Sequence, residues 1–73
     1  MGRLSNLSGK EIAKVLERMG FERRRQKGSH LVMRRGSDVC VVPMHREVKL
    51  GTVGGVLKQA GVGVSDFLIE LHR

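Results

Sequence analysis

Residues 27–43 read KGSHLVMRRGSDVCVVP, and this stretch decides the fold because it contains two apolar, alternating segments separated by a glycine turn. The alternation predicts antiparallel strands over His30–Arg35 and Asp38–Pro43, joined through the dipeptide Gly36-Ser37. Glycine followed by an unrestricted residue suits a two-residue hairpin of type II′. The first of these strands begins with a histidine that directly follows a second Gly-Ser dipeptide.

The hairpin also predicts which side chains share a face of the sheet. It places Leu31 opposite Val42 and Met33 opposite Cys40, so these four apolar residues can face a core. The other face then carries His30 opposite Pro43, Val32 opposite Val41, and Arg34 opposite Val39. A shift of one residue would exchange the two faces, so the exposure of the histidine depends on this register.

A helix is predicted before the strands. Ser8 can cap it, Glu11 can complete the capping box, and Gly20 suits the left-handed position after the last turn. Its apolar residues recur at helical spacing and predict one buried stripe: Ile12, Val15, Leu16 and Met19. Residues 21–26 are then predicted to form an edge strand rich in arginine.

Two helices are predicted after the strands. The first begins at Gly51-Thr52-Val53 and stops at Gly61, and the second is short and capped by Ser65. Gly54 and Gly55 are costly inside a helix, and close packing is the preferred explanation for them. The order of elements predicts a single α+β domain over residues 1–73. Its architecture is a two-layer sandwich of helix, three-stranded antiparallel sheet and helix, with a short C-terminal helix.

The composition indicates a polyanionic partner. Fourteen Lys and Arg residues against seven Asp and Glu give a net charge of +7 on only 73 residues. Non-specific affinity for nucleic acid is largely neutralisation of phosphate, so RNA or DNA is the favoured partner. The same charge disfavours a module that binds only protein, although a basic domain without such a partner stays open. Two phenylalanines are the only aromatic residues, which argues against modules that stack bases on aromatic side chains.

His30 is the main candidate for chemistry. Histidine is the side chain that gains and loses a proton near neutral pH, and a position at a strand end beside a turn can meet a substrate. Cations flank it in sequence: Arg23, Arg24, Arg25, Lys27, Arg34 and Arg35. A proton-transfer group among cations suggests phosphodiester chemistry. The alternatives are a structural histidine, and arginines that merely protect an edge strand from aggregation.

Three short motifs add a resemblance to a known family. The Gly28-Ser29-His30 strand start, the later Val42-Pro43-Met44-His45 and the helix start at Gly51-Thr52-Val53 resemble the HicA-type mRNA interferases of bacterial toxin–antitoxin pairs. The similarity runs over about residues 8–70. It implies a fold like that of double-stranded-RNA-binding domains, cleavage of mRNA, and inhibition by a HicB-like antitoxin protein. It also implies that His30 is the catalytic histidine.

The remaining site residues are predicted from the charges around His30, the hairpin register and the family resemblance. Metal-independent RNA cleavage needs a base, an acid and cations that stabilise the charged phosphorane. His45 is a candidate second group, because it would be a diagonal neighbour of His30 if the strand continued regularly. The residues expected to bind RNA are Arg23, Arg24, Arg25, Lys27, Ser29 and Arg34. The runner-up function is a noncatalytic RNA-binding module with the same fold and the same basic face.

Other groups are not expected to take part. The acidic residues are scattered, so neither a metal nor another cofactor is predicted. Cys40 lies in an apolar run and suits a core position better than a nucleophile, and His72 is considered incidental. With one cysteine, no signal peptide and no transmembrane run, the expected location is the cytoplasm, with no membrane association.

Overall fold

The computed structural model describes residues 4–73 and contains three helices and one sheet. The helices are α1 (Gly9–Arg18), α2 (Leu50–Ala60) and α3 (Val64–Leu71), and the strands are β1 (Glu22–Lys27), β2 (His30–Arg35) and β3 (Asp38–Pro43). The strands are antiparallel in the order β1-β2-β3, and the helices pack on one face of the sheet. The predicted α+β fold is therefore confirmed.

The hairpin between β2 and β3 has the predicted register. His30 pairs with Pro43, Leu31 with Val42, and Met33 with Cys40. Gly36 adopts φ 61 while Ser37 stays outside the left-handed region, as a type II′ turn requires. The turn between β1 and β2 follows the same rule, since Gly28 has φ 59. Two glycine turns thus determine which residues of β2 face the helices.

The core lies between the sheet and the helices and is made almost entirely of aliphatic side chains. From the sheet it takes the predicted inner-face residues: Leu31, Met33, Cys40 and Val42. The helices contribute the apolar stripes of α1 and α2. Phe21 and Phe67 are both buried as well. Both aromatic residues of the chain are therefore used for packing, and neither is exposed for stacking on a base.

Helix α1 begins and ends as its sequence predicts. The Ser8 hydroxyl accepts a hydrogen bond from the Glu11 N–H at 3.0 Å, and the Glu11 carboxylate accepts one from the Ser8 N–H at 2.9 Å. After the helix, Gly20 has φ 101 and the Phe21 N–H donates to the Leu16 carbonyl at 3.0 Å. This is the Schellman arrangement, which satisfies carbonyls at the helix end.

Some predicted boundaries and one explanation need correction. Strand β1 starts at Glu22 rather than Phe21, because Phe21 is committed to closing α1 and to the core. Helix α3 starts after Gly63, whose carbonyl accepts the Phe67 N–H, so Ser65 lies inside the helix and does not cap it. A Cβ added at Gly54 or Gly55 would meet nothing within 4 Å, so close packing does not explain these glycines.

Gly9 is the glycine on which packing does depend. A Cβ at this position would overlap the Pro43 carbonyl oxygen and would lie 2.6 Å from the Met44 Cα. The Gly9 N–H donates to the His45 carbonyl at 2.9 Å. The first turn of α1 therefore rests directly on the backbone at the end of β3, a contact that only a residue without a side chain permits.

Adding a methyl group at Gly9 should destabilise the fold, because the strand end leaves no space for it. We expect Gly9→Ala to lower the free energy of unfolding by about 1–3 kcal/mol, because the helix must move away from the strand end. Thermal or denaturant unfolding measures the change.

Gly55→Ala is the matched control, since the same methyl would enter open space in a helix. It should stabilise the protein by about 0.5–1 kcal/mol, because alanine is the better helix former. Equal effects of the two substitutions would show that the contact between α1 and β3 does not carry the stability assigned to it.

Cys40 belongs to this core and is unsuited to nucleophilic chemistry. Its side chain is fully buried, and burial raises the pKa of the Cys40 thiol from 9.0 to about 11. The thiolate, which is the reactive form, is therefore scarce at neutral pH.

We expect Cys40 in the folded protein to resist alkylation by iodoacetamide at pH 8 and to react readily once the protein is unfolded. Because its folded pKa is raised, the stabilisation from the protonated thiol is complete below pH 9 and is lost as the pH rises toward 11. Mass spectrometry of the alkylated protein measures the first effect, and unfolding at several pH values measures the second. Rapid labelling of the folded protein would contradict the burial.

Candidate functional site

His30 is the first residue of β2 and lies immediately after the Gly28-Ser29 turn. Its backbone pairs with Lys27 on one side and with Pro43 on the other. The side chain is exposed, and within residues 4–73 it makes no hydrogen bond and no ion pair with another group. The imidazole is therefore accessible and is not held by the fold as a core histidine would be.

His30 projects from the sheet surface that faces away from the helices, which we call the outer face. The residues on this face form three cross-strand rows. They are Lys27, His30 and Pro43; Arg25, Val32 and Val41; and Glu22, Arg34 and Val39. Directly opposite residues have Cβ atoms about 4.5–5.5 Å apart, so Lys27 is an immediate neighbour of His30. The outer face thus carries three cations, Arg25, Lys27 and Arg34, beside His30 and the aliphatic side chains of β2 and β3.

The cations of this face are not neutralised by the protein. Among the described residues, no carboxylate lies within ion-pair distance of Arg25, Lys27 or Arg34. Arg34 uses its Nε–H to donate to the Gly36 carbonyl at 2.7 Å, which leaves its terminal nitrogens for other acceptors. The outer face therefore has unpaired positive charge beside His30, on Lys27 and Arg25, and unused donors at its far end, on Arg34.

The three consecutive arginines of β1 do not act together. A bulge between Arg23 and Arg25 changes the side on which the later residues project. Arg23 lies opposite the buried Met33 and its Nε contacts the Glu17 carboxylate of α1 at 3.0 Å. Arg24 contacts the Glu22 carboxylate at 3.3 Å. Arg25 lies opposite Val32 on the outer face, whereas Arg23 lies on the other side of the sheet, a distinction that the run of three identical residues did not reveal.

His45 lies beyond the end of β3 rather than on a continuation of it. The Met44 N–H donates to the Ser29 carbonyl at 2.6 Å, and this bond extends the pairing one step past Pro43. The His45 carbonyl accepts instead from the Gly9 N–H of α1. The regular strand on which the diagonal placement relied is therefore absent, because the chain turns toward the start of α1.

The His45 side chain is exposed and lines a pocket of about 220 Å³. The other lining residues are Pro43, Glu47, Val48, Lys49 and Thr52. Since Pro43 is the cross-strand partner of His30, the pocket adjoins the His30 row. Lys49 and Thr52 were not predicted for the site. The motif Gly51-Thr52-Val53, which contains Thr52 and closely follows Lys49, was used only as a helix start and as part of a family resemblance.

Carboxylates near His30 are few. Glu22 is held by Arg24 in the row farthest from His30, so it does not orient the imidazole. Glu47 lines the His45 pocket.

Between residues 4 and 73, no three His, Cys, Asp or Glu side chains come close enough to hold a metal ion. Over the same range, no helix combines the length and apolar character needed to cross a membrane. His72 follows α3 and lies outside the sheet.

Comparison with known proteins agrees with the three sequence motifs. The family model described as the HicA toxin of bacterial toxin–antitoxin systems matches residues 9–62, which is more than half of the chain. The match covers the whole sheet, His45 and α2. No curated protein sequence matches the chain.

Proposed function

Because the chain belongs to the HicA family of bacterial toxin–antitoxin toxins, we propose that it acts by cutting messenger RNA without a metal ion. The observation that carries this proposal is the placement of His30. It is an exposed, unpartnered imidazole on a sheet face whose cations have no carboxylate partner in the described part of the chain. Such a face attracts a phosphate backbone and presents a proton-transfer group to it.

The chemistry needs two proton transfers. A base removes the proton of a ribose 2′-hydroxyl, the 2′-oxygen then bonds to the adjacent phosphorus, and the bond from phosphorus to the 5′-oxygen breaks. An acid supplies the proton to that leaving oxygen. His30 can serve either role, and His45 is the candidate for the other, because its pocket adjoins Pro43 beside His30.

Cations near His30 would stabilise the transition state. The phosphorane carries more negative charge than the ground state, so preorganised donors at that position lower the barrier. Lys27 is directly opposite His30, and Arg25 lies on the same face of β1. Ser29 and Arg34 are also expected to contact RNA. Ser29 directly precedes His30 in the chain, and Arg34 follows it by four residues. Arg23 is less available, since it lies opposite the buried Met33 and contacts Glu17 of α1. Arg24 contacts Glu22 in an exposed ion pair.

A partner and a compartment follow from the same proposal. A toxin of this family acts with an antitoxin, and we propose a HicB-like protein that blocks access to the RNA-binding surface. The substrate would be mRNA, which places the activity in the cytoplasm. The noncatalytic alternative, an RNA-binding module, uses the same outer face but does not require His30.

Replacing the histidine tests the proposal directly. We expect His30→Ala to reduce RNA cleavage by about 10²–10⁴-fold, because one acid–base group is lost. The protein should stay folded, since truncation of an exposed side chain usually changes stability by no more than about 0.5 kcal/mol. Cleavage of RNA and thermal unfolding should be measured on the same sample.

Two further histidines complete the experiment. His72→Ala is the control and should cut RNA at the wild-type rate, because that residue lies outside the sheet. His45→Ala should cause a loss comparable to that of His30→Ala if the two residues share the proton transfers. Wild-type cleavage by the folded His30 variant would show that this histidine is not catalytic, whereas absence of cleavage by the wild-type protein would leave only the noncatalytic RNA-binding function.

Removal of divalent metal provides an independent prediction. Cleavage should continue at an unchanged rate in EDTA, because the proposed mechanism uses side-chain donors and acceptors only. Cleavage assays with EDTA, with magnesium and with neither should give the same rate. A loss in EDTA that magnesium restores would replace the histidine mechanism by metal-assisted hydrolysis.

A further inference from the structure

A second cationic feature lies at the end of the sheet farthest from His30. It is a pocket of about 280 Å³, which we call the arginine pocket, and it is lined by Gly20, Glu22, Arg24, Arg34, Arg35 and Gly36. Resting on the proposed function, we propose that this pocket binds a backbone phosphate of the RNA substrate at a fixed distance from the cleaved bond. The pocket therefore would be a subsite for substrate positioning rather than for chemistry.

Arg35 is held rigidly at the pocket. Its Nη1 donates to the Met19 carbonyl at 3.0 Å, and its guanidinium carbon lies 4.6 Å from the centre of the Phe21 ring. Its Nη2 is 3.9 Å from the Asp38 carboxylate. Gly20 contributes by its lack of a side chain, since a Cβ there would lie 3.3 Å from the Arg35 Cδ. Such preorganisation lowers the entropy lost when a ligand binds.

Arg24 and Arg34 supply the adaptable part of the pocket. Arg34 uses only its Nε–H within the described residues, for the Gly36 carbonyl. Arg24 contacts Glu22 at 3.3 Å, but the two side chains are 54% and 74% exposed. An ion pair so exposed contributes about 0–1 kcal/mol, so a phosphate can compete for Arg24.

The charges favour an anion. Three guanidinium groups surround the pocket, against the carboxylates of Glu22 and, beyond the lining, Asp38. Guanidinium is planar and donates in pairs, which suits phosphate oxygens better than a single ammonium does. A phosphodiester has acceptor oxygens for more than one arginine at once. The pocket therefore matches a phosphate in charge and in the type of donor that lines it.

The distance from His30 to the pocket is one that a single RNA strand can span. His30 and Arg34 both project from the outer face, four residues apart along β2. At about 3.3 Å per residue, they are separated by roughly 13 Å. That length corresponds to about four nucleotides at the roughly 3.4 Å rise of a stacked strand, and to fewer in an extended one. An RNA lying along β2 would reach both features.

RNA length provides the test. The double variant Arg24→Gln/Arg34→Gln should raise the KM for an RNA of about ten nucleotides roughly tenfold, because charged hydrogen bonds to phosphate are lost. It should lower kcat/KM for a dinucleotide by clearly less than that for the longer RNA, because the dinucleotide cannot reach from His30 to the pocket. The charge-matched control is Lys10→Gln/Lys14→Gln, which removes two exposed cations from α1.

Binding should be measured separately, with every protein carrying His30→Ala so that the RNA stays intact. Fluorescence anisotropy with the longer RNA at several salt concentrations should show a slope reduced by about 0.7 for each lost phosphate contact. Thermal unfolding shows whether each double variant is folded. If the Arg24/Arg34 variant unfolds, Arg34→Lys replaces it. That variant keeps the charge but not the paired donors, and it should still weaken binding of the longer RNA.

The outcomes separate this inference from the proposed function. Equal effects of the arginine and lysine double variants, or an equal loss on the dinucleotide, would overturn the subsite. Unchanged RNA binding with loss of antitoxin binding would also overturn it, and would assign the pocket to an acidic protein segment. If the wild-type protein does not cut RNA but its binding of the longer RNA depends on the pocket, the cleavage proposal fails and the subsite stands.

Discussion

The structure depends on one close contact, that between the first turn of α1 and the backbone at the end of β3. Gly9 lies against the Pro43 carbonyl and donates its N–H to the His45 carbonyl at 2.9 Å. A small domain buries a limited apolar surface, so a misplaced helix cannot be compensated easily. This contact brings the buried stripe of α1 onto the sheet. It also holds the chain at Pro43 and His45, next to the row that contains His30.

The cations of the protein differ in whether a carboxylate of the fold pairs with them. Several arginines on the helix side or at the sheet end have carboxylate partners, as Arg23 has Glu17 and Arg18 has Glu70. The cations of the outer face, Arg25, Lys27 and Arg34, have no carboxylate partner among the described residues. Exposed ion pairs add little stability, so leaving these cations unpaired costs the fold almost nothing. The result is a positive surface around an accessible imidazole, and the proposal of RNA binding rests on this surface.

Much of the fold could be read from local patterns. The capping box at Ser8 and Glu11, the Schellman end at Gly20 and the hairpin at Gly36-Ser37 all follow from interactions within a few residues of sequence. The alternation of β2 and β3 then determined the buried face, because a strand has a period of two. The predicted start of β1 was wrong at Phe21. This residue is buried in the core and its N–H closes the end of α1, so it does not pair with β2.

The sequence by itself thus determined the α+β architecture, the register of β2 and β3, and the exposure of His30 on a basic surface. Tertiary structure alone decided the rest. A bulge separates Arg23 from Arg25, the turn after Pro43 takes His45 toward α1, and the sheet end gathers Arg24, Arg34 and Arg35 around one pocket. The physical reason is that composition and periodicity record local preferences. The direction of a side chain beyond a bulge or a strand end depends instead on backbone contacts with distant segments.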